Sequence, residues 1–191
     1  MRARETYESE SLMIAQKIKK GAGYIAKIEY QSFVDGEGVR CSVYVSGCPF
    51  LCEGCYNVAA QNFRYGERAT ETLISEVLDA CAPEYISGLS ILGGEPFCNL
   101  DIVIPLVRAF RKRYGSRKSI WVWTGFLFEY LWFAHDERTA LLKQIDVIVD
   151  GMFIQKLYQP NLPYKGSLNQ RVIDVHQFIK TEMISQSIYI E

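Results

Sequence analysis

The sequence predicts an α/β fold on a mainly parallel sheet, open or partly closed. Two observations carry this reading: short runs rich in Val, Ile, Trp and Tyr alternate with helix-like segments, and the strand-like runs repeatedly end in a glycine-bearing turn. A third sets the scale, since 191 residues that are 49% hydrophobic can bury one substantial core. The expected organisation is a leader over residues 1–23, of no assignable role, and one domain over 24–191.

The leader contains Ser11 ahead of Leu12, Ala15 and Ile18, a weak helix pattern ending at Lys19-Lys20-Gly21. Tyr24 to Tyr30 reads as the first strand. After it, Val34-Asp35-Gly36-Glu37-Gly38-Val39-Arg40 forms a turn whose glycines permit tight backbone geometry and whose charges can position a ligand or partner. Val39 to Val45 alternates cleanly, so Val39, Cys41, Val43 and Val45 share a buried face, and Cys41 reads as a small core residue.

Thr70 caps a helix with Glu71 in its first turn and Leu73, Ile74, Val77 and Leu78 on one face. Ile86 to Leu92 is a strand that runs into Gly93-Gly94-Glu95-Pro96. Asn99 or Asp101 caps the next helix through Val103, Val107 and Phe110, and its basic end, Arg108 to Arg113, complements the helix dipole. Ser119 to Trp123 is a strand closed by Thr124-Gly125. Phe126 to Ala134 reads as a packed helix, Asp136 to Gln144 as a short one, Ile145 to Val149 as a buried strand ending at Asp150-Gly151, and Val172 to Val175 as a final core strand. His135 and His176 stand alone and read as surface or satisfied residues.

Charge and cysteine usage narrow the function classes. A net charge of -1 gives no general electrostatic case for nucleic acid or an anionic membrane. No segment approaches a membrane span, and Leu12 to Ala15 is too brief for a secretory core. Six cysteines, three of them crowded together, do not make an evenly stapled secreted framework, so a reducing cytoplasm is expected.

Those three are Cys48, Cys52 and Cys55, at the spacing C-x3-C-x2-C directly after the Val39 to Val45 strand. Structural zinc wants four protein ligands, and no second cysteine pair follows the first. An iron-sulfur cluster is also normally held by four thiolates, so three from one loop leave one iron without a local ligand. A structural site completed by Cys41, Cys81 or Cys98, or three unligated thiols, remain as alternatives at this level.

The cysteine spacing, the later glycine turn and their order in an α/β chain together resemble the radical S-adenosylmethionine superfamily. Val34 to Arg40 looks like the signature of activases that install glycyl radicals. The runs Cys52 to Asn57, Trp121 to Gly125, Asp146 to Gly151 and Gly166 to Arg171 look more narrowly like the activating enzymes of anaerobic ribonucleotide reductases. The resemblance spans roughly Tyr24 to Val175. Gly54 stands where many superfamily members carry an aromatic residue, and the narrower family shares this feature.

The resemblance implies a partial TIM-type barrel in which Cys48, Cys52 and Cys55 hold a 4Fe-4S cluster whose fourth iron binds S-adenosyl-L-methionine. Gly93, Gly94 and Glu95 would hold the methionine amino end, Thr124 the ribose, and Gly54 backbone or Tyr56 the adenine. Reductive cleavage of the sulfonium would give a 5′-deoxyadenosyl radical that takes a hydrogen from a glycine on the reductase, so no side chain need act as acid or base. The implied electron donor is of flavodoxin type. Asp35, Arg40, Asn169 and Arg171 are expected to border the side where the partner's glycine loop docks. Rival readings are an activase of another glycyl radical enzyme and a non-catalytic electron-transfer module, the latter predicting a fourth ligand at Cys98.

Overall fold

The run Val39–Val45 frames the molecule, because alternate residues of an extended strand point to opposite faces. In the computed structural model, which describes residues 21–188, Cys41, Val43 and Val45 turn to one face and are fully buried, while Arg40, Ser42 and Tyr44 turn to the other. The strands are β1 (Tyr24–Ser32), β2 (Val39–Val45), β3 (Glu67–Arg68), β4 (Ile86–Gly93), β5 (Ser119–Trp123), β6 (Val147–Asp150) and β7 (Arg171–Asp174). The helices are α1 (Glu71–Ala80), α2 (Leu100–Tyr114), α3 (Phe128–Trp132), α4 (Glu137–Leu142) and α5 (Val175–Ile188). All seven strands join one sheet in the order β3-β1-β2-β4-β5-β6-β7, which does not close.

The centre of the sheet, β2-β4-β5-β6, is parallel, as expected. The edges are not: β1 and β3 pair antiparallel on one side and β7 on the other. In register, Val43 sits beside Ile91, Ile91 beside Val122, and Val122 beside Ile148, a continuous apolar row across the four parallel strands. This row packs on Val77 of α1 and on Val103, Val107 and Phe110 of α2 in a single core. Cys41 lies in that core with Cys81, so it is the packed residue that its strand pattern indicates. Thr70 caps α1 by accepting from the Leu73 N–H at 3.1 Å, worth about 1 kcal/mol.

Several local expectations change. Val172 to Val175 is not a core strand: β7 ends at Asp174 and leaves Val172 41% exposed, while the fully buried Val175 opens α5. Strand-like alternation identifies the element but not which faces its neighbours will cover. Asn99 occupies the N-cap position of α2 without capping it: its amide nitrogen donates to the carbonyls of Gly47 and Glu95, while its Oδ1 accepts from no helix N–H among the described residues. Arg111, at the basic end of α2, donates to the Gln144 carbonyl and pairs with Asp146 at 2.5 Å, tying α2 to the entrance of β6. The weak helix pattern before Gly21 lies outside the described residues. Among the described residues no helix is long and apolar enough to cross a membrane.

Candidate functional site

Parallel strands deliver their following loops to one edge, and four turns meet there: Ser46-Gly47 after β2, Gly94-Glu95 after β4, Thr124-Gly125 after β5 and Gly151 after β6. The Gly94 N–H donates to the Val45 carbonyl at 2.7 Å and the Glu95 N–H to the Gly47 carbonyl at 2.8 Å, so the glycine turn is bonded directly to the residue preceding Cys48. Gly94 has no room for a side chain, since a Cβ there would lie 2.6 Å from the Gly47 carbonyl oxygen and 2.9 Å from that of Ala60.

Cys48, Cys52 and Cys55 are free thiols, each partly exposed, on the loop that leaves β2. The loop turns tightly: the Cys55 N–H donates to the Cys52 carbonyl at 3.2 Å, and Leu51 and Gly54 both have positive φ. Gly54, at φ 70°, also lies against the Gln155 side chain, which a Cβ would approach to 2.8 Å. The backbone N–H groups of Phe50 and Leu51 favour the Cys48 thiolate, and those of Phe153 and of Cys52 itself the Cys52 thiolate, without outweighing burial. Burial raises both thiols above their ordinary range.

Among the described residues no three His, Cys, Asp or Glu side chains converge on a single ion position. Three soft sulfur donors spread around one loop fit a polynuclear cluster in which each thiolate takes a different iron. Cys98 is 3% exposed at the end of the single 3₁₀ turn Pro96–Cys98, and burial with the neighbouring Glu95 and Cys48 raises its thiol above the ordinary range.

Glu95 is 1% exposed and fully engaged: Oε1 accepts from the Thr124 hydroxyl at 2.7 Å and the Phe97 N–H at 3.0 Å, and Oε2 from the Gly125 N–H at 2.7 Å. Burial pushes its pKa up to about 7 against those three donors. Thr124 in turn accepts from the Phe126 N–H, so this pair ties the β4 turn to the β5 turn. Tyr56 is 98% exposed. It stands at a cleft of ≈ 710 Å³ that runs from Tyr56, Asn57 and Ala60 past Leu92 and Tyr44 to Asp35, joining the end of the cysteine loop to the polar face of the sheet.

Asp35, 8% exposed, accepts from Ser32 at 2.7 Å and Tyr44 at 2.8 Å. Arg40 is 0% exposed, so it offers no surface to a partner. All five of its N–H donors are matched: Nε to Ser90, one terminal nitrogen to the Glu37 carbonyl and Ser119 hydroxyl, the other to the Leu89 and Ser119 carbonyls. Its guanidinium lies 5.5 Å from the Trp121 ring, and burial lowers its pKa to about 10. Asn169 donates to the Met152 carbonyl at 2.8 Å. Arg171 forms a bidentate pair with Glu129 at 2.8 and 2.7 Å and also holds the buried Asp150. Trp121 connects the two expected docking segments, with Gly36 packed on its ring and Tyr164 meeting it edge-on at 4.9 Å.

Sequence reasoning missed Phe153 and Gln155, because a backbone donor and a neutral side chain in an irregular segment carry no signature.

Comparison with known proteins gives a consistent match. A family model described as 4Fe-4S single cluster domain matches residues 34–173. The chain is 36% identical over 149 residues to the anaerobic ribonucleoside-triphosphate reductase-activating protein of Haemophilus influenzae, covering 76% of this chain and 92% of that protein. It is 38% identical over 149 residues to the protein of the same name from Vibrio cholerae, with the same coverage. To that of Enterobacteria phage T4 it is 37% identical over 146 residues, covering 73% of this chain and 86% of the relative.

Proposed function

Because the chain belongs to the family of anaerobic ribonucleoside-triphosphate reductase-activating proteins and carries a 4Fe-4S single cluster domain, we propose that it activates an anaerobic ribonucleotide reductase, with Cys48, Cys52 and Cys55 as the cluster ligands. The observation that carries the assignment of ligands is the C-x3-C-x2-C loop at the shared edge of the parallel strands, hydrogen-bonded through Gly47 to the Gly94-Glu95 turn. When bound, the cluster and S-adenosylmethionine supply the one-electron chemistry that removes a hydrogen from a glycine of the partner.

The chain's own residues position and shield. Gly93 and Gly94 bring backbone, free of side-chain bulk, to the edge where they would hold the methionine amino group. Glu95 and Thr124 act there mainly through the turns that they join, because their side-chain oxygens already have partners. Tyr56 and the backbone at Gly54 would border the adenine. The partner's glycine loop enters on the polar face of the sheet, between the Val34 to Arg40 turn and the loop over residues 165–171. Asp35, Asn169 and Arg171 shape these borders, and the buried Arg40 fixes the Val34 to Arg40 turn from beneath through the Glu37 carbonyl. A reduced flavodoxin-type protein supplies the electron, residues 24–191 act as one domain, and the reaction takes place in the cytoplasm.

Anaerobic incubation with the reductase, S-adenosylmethionine and a reductant is expected to give a glycyl radical signal on the reductase by electron paramagnetic resonance. Methionine should form with it, and both should vanish in Cys52→Ala. Methionine formation without a radical on the reductase would point to a different glycyl radical partner.

A further inference from the structure

The cysteine loop and the glycine turn are joined by a side chain that belongs to neither. Asn99 lies at the start of α2, and its backbone is fixed there: its carbonyl accepts from the N–H groups of Ile102 at 3.1 Å and Val103 at 3.0 Å, and its own N–H donates to the Pro96 carbonyl at 3.0 Å. From this footing the side chain, 0% exposed, reaches back to two turns. Its amide nitrogen donates to the Gly47 carbonyl at 3.2 Å and to the Glu95 carbonyl at 2.9 Å. Only the NH2 end of the amide can meet two carbonyls, which fixes its orientation. The Gly47 carbonyl belongs to the peptide that leads into Cys48, whose N–H donates to the Gln61 carbonyl at 3.2 Å, and the same Gly47 carbonyl also accepts from the Glu95 N–H at 2.8 Å.

Helix capping does not explain this arrangement. A capping Oδ1 would accept from the first N–H groups of α2, whereas this one is buried and accepts from none among the described residues. The space around it is reserved, since a Cβ on Gly21 would lie 2.1 Å from Oδ1. Burying an oxygen without a donor is unfavourable, so the NH2 group is what the position uses.

We propose that Asn99 is a positioning residue for S-adenosylmethionine binding: it holds the peptide entering Cys48 and the Gly94-Glu95 turn at one separation, and so keeps the first cluster ligand in register with the backbone that takes the methionine amino group. The inference rests on the reading of Cys48 as a cluster ligand and of the glycine turn as the methionine site. An outside ligand that spans an iron and a protein backbone gains from both contacts only when their spacing is already set. Groups that hold metal ligands in place tune metal sites in the same way.

The test uses Asn99→Ser and Asn99→Asp, both of which can cap a helix and neither of which carries an NH2 group. After anaerobic reconstitution, iron and sulfide content are measured and S-adenosylmethionine is titrated against the reduced cluster by electron paramagnetic resonance. The expected result is a folded protein with full cluster content and a dissociation constant weakened about tenfold. Hydrogen exchange at the Glu95 amide should also quicken in the metal-free variants, because its acceptor, the Gly47 carbonyl, is no longer held by Asn99. Parent-like affinity in both variants at full cluster content would overturn the proposal. So would unchanged exchange at Glu95 should the variants fail to hold a cluster, and so would variants that no longer fold, since Asn99 would then serve the fold alone. Failure of the underlying reading shows separately, in the parent protein, as a cluster spectrum that S-adenosylmethionine leaves unchanged.

Discussion

At Glu95 the fold buries a carboxylate and surrounds it with three donors, and burial wins by enough to bring its pKa to about 7 from an ordinary 4.5. Between those two values the folded protein keeps a proton that the unfolded chain has released. This contribution to stability is full below the lower value and is lost as pH rises through the upper one. The metal-free protein is expected to lose about 3 kcal/mol of stability across this window through Glu95 alone, and Glu95→Gln should remove that part of the slope. Urea midpoints of parent and variant at about pH 5 and about pH 8 measure it; parallel pH dependences in the two proteins would contradict it. Arg40 makes a second residue-scale prediction. Removing a side chain that donates to three carbonyls and two hydroxyls leaves acceptors without donors, and each one that is buried costs about 1–3 kcal/mol. Arg40→Ala should therefore destabilise by at least about 3 kcal/mol, and Arg40→Lys, with at most three donors, by less but still measurably. Chemical denaturation distinguishes both from a surface arginine, whose loss stays within about 0.5 kcal/mol.

Among the elements, the turn after β4 is the most constrained part of the site. Gly94→Ala would press a methyl group onto two backbone carbonyls that cannot move without displacing the cysteine loop. It should cost about 1–3 kcal/mol and reduce the iron retained after anaerobic reconstitution, which thermal melts and iron assays report together. Much at this scale was legible in the sequence. The strands at Val39–Val45 and Ser119–Trp123 have the bounds that alternation and aromatic content give them, and Thr70 caps its helix as its type suggests. Elements failed where partners rather than periodicity decide. Val172 looks like core but lies on an edge strand, and Asn99 looks like a cap but binds carbonyls of the neighbouring turns. The donors of Gly166 to Arg171 are visible in the sequence, whereas their acceptors, Met152, Gly151, Asp150 and Glu129, are visible only in the folded chain.

Across the described residues, an open sheet with a parallel centre places the cysteine loop, the glycine turn and the Thr124-Gly125 turn at one edge. In the proposed reading, three thiols on one loop hold a cluster with one iron left for an outside ligand, and Cys98 is the thiol that a fully protein-held cluster would use instead. Cys98→Ala should therefore leave the cluster content and methionine formation unchanged, as iron analysis and product assay would show. The most direct measurement is the electron paramagnetic resonance spectrum of the reduced, anaerobically reconstituted protein before and after S-adenosylmethionine is added. The account predicts that the added nucleoside changes the spectrum of a cluster held by Cys48, Cys52 and Cys55. A spectrum indifferent to it, from a cluster that is lost in Cys98→Ala, would contradict the account.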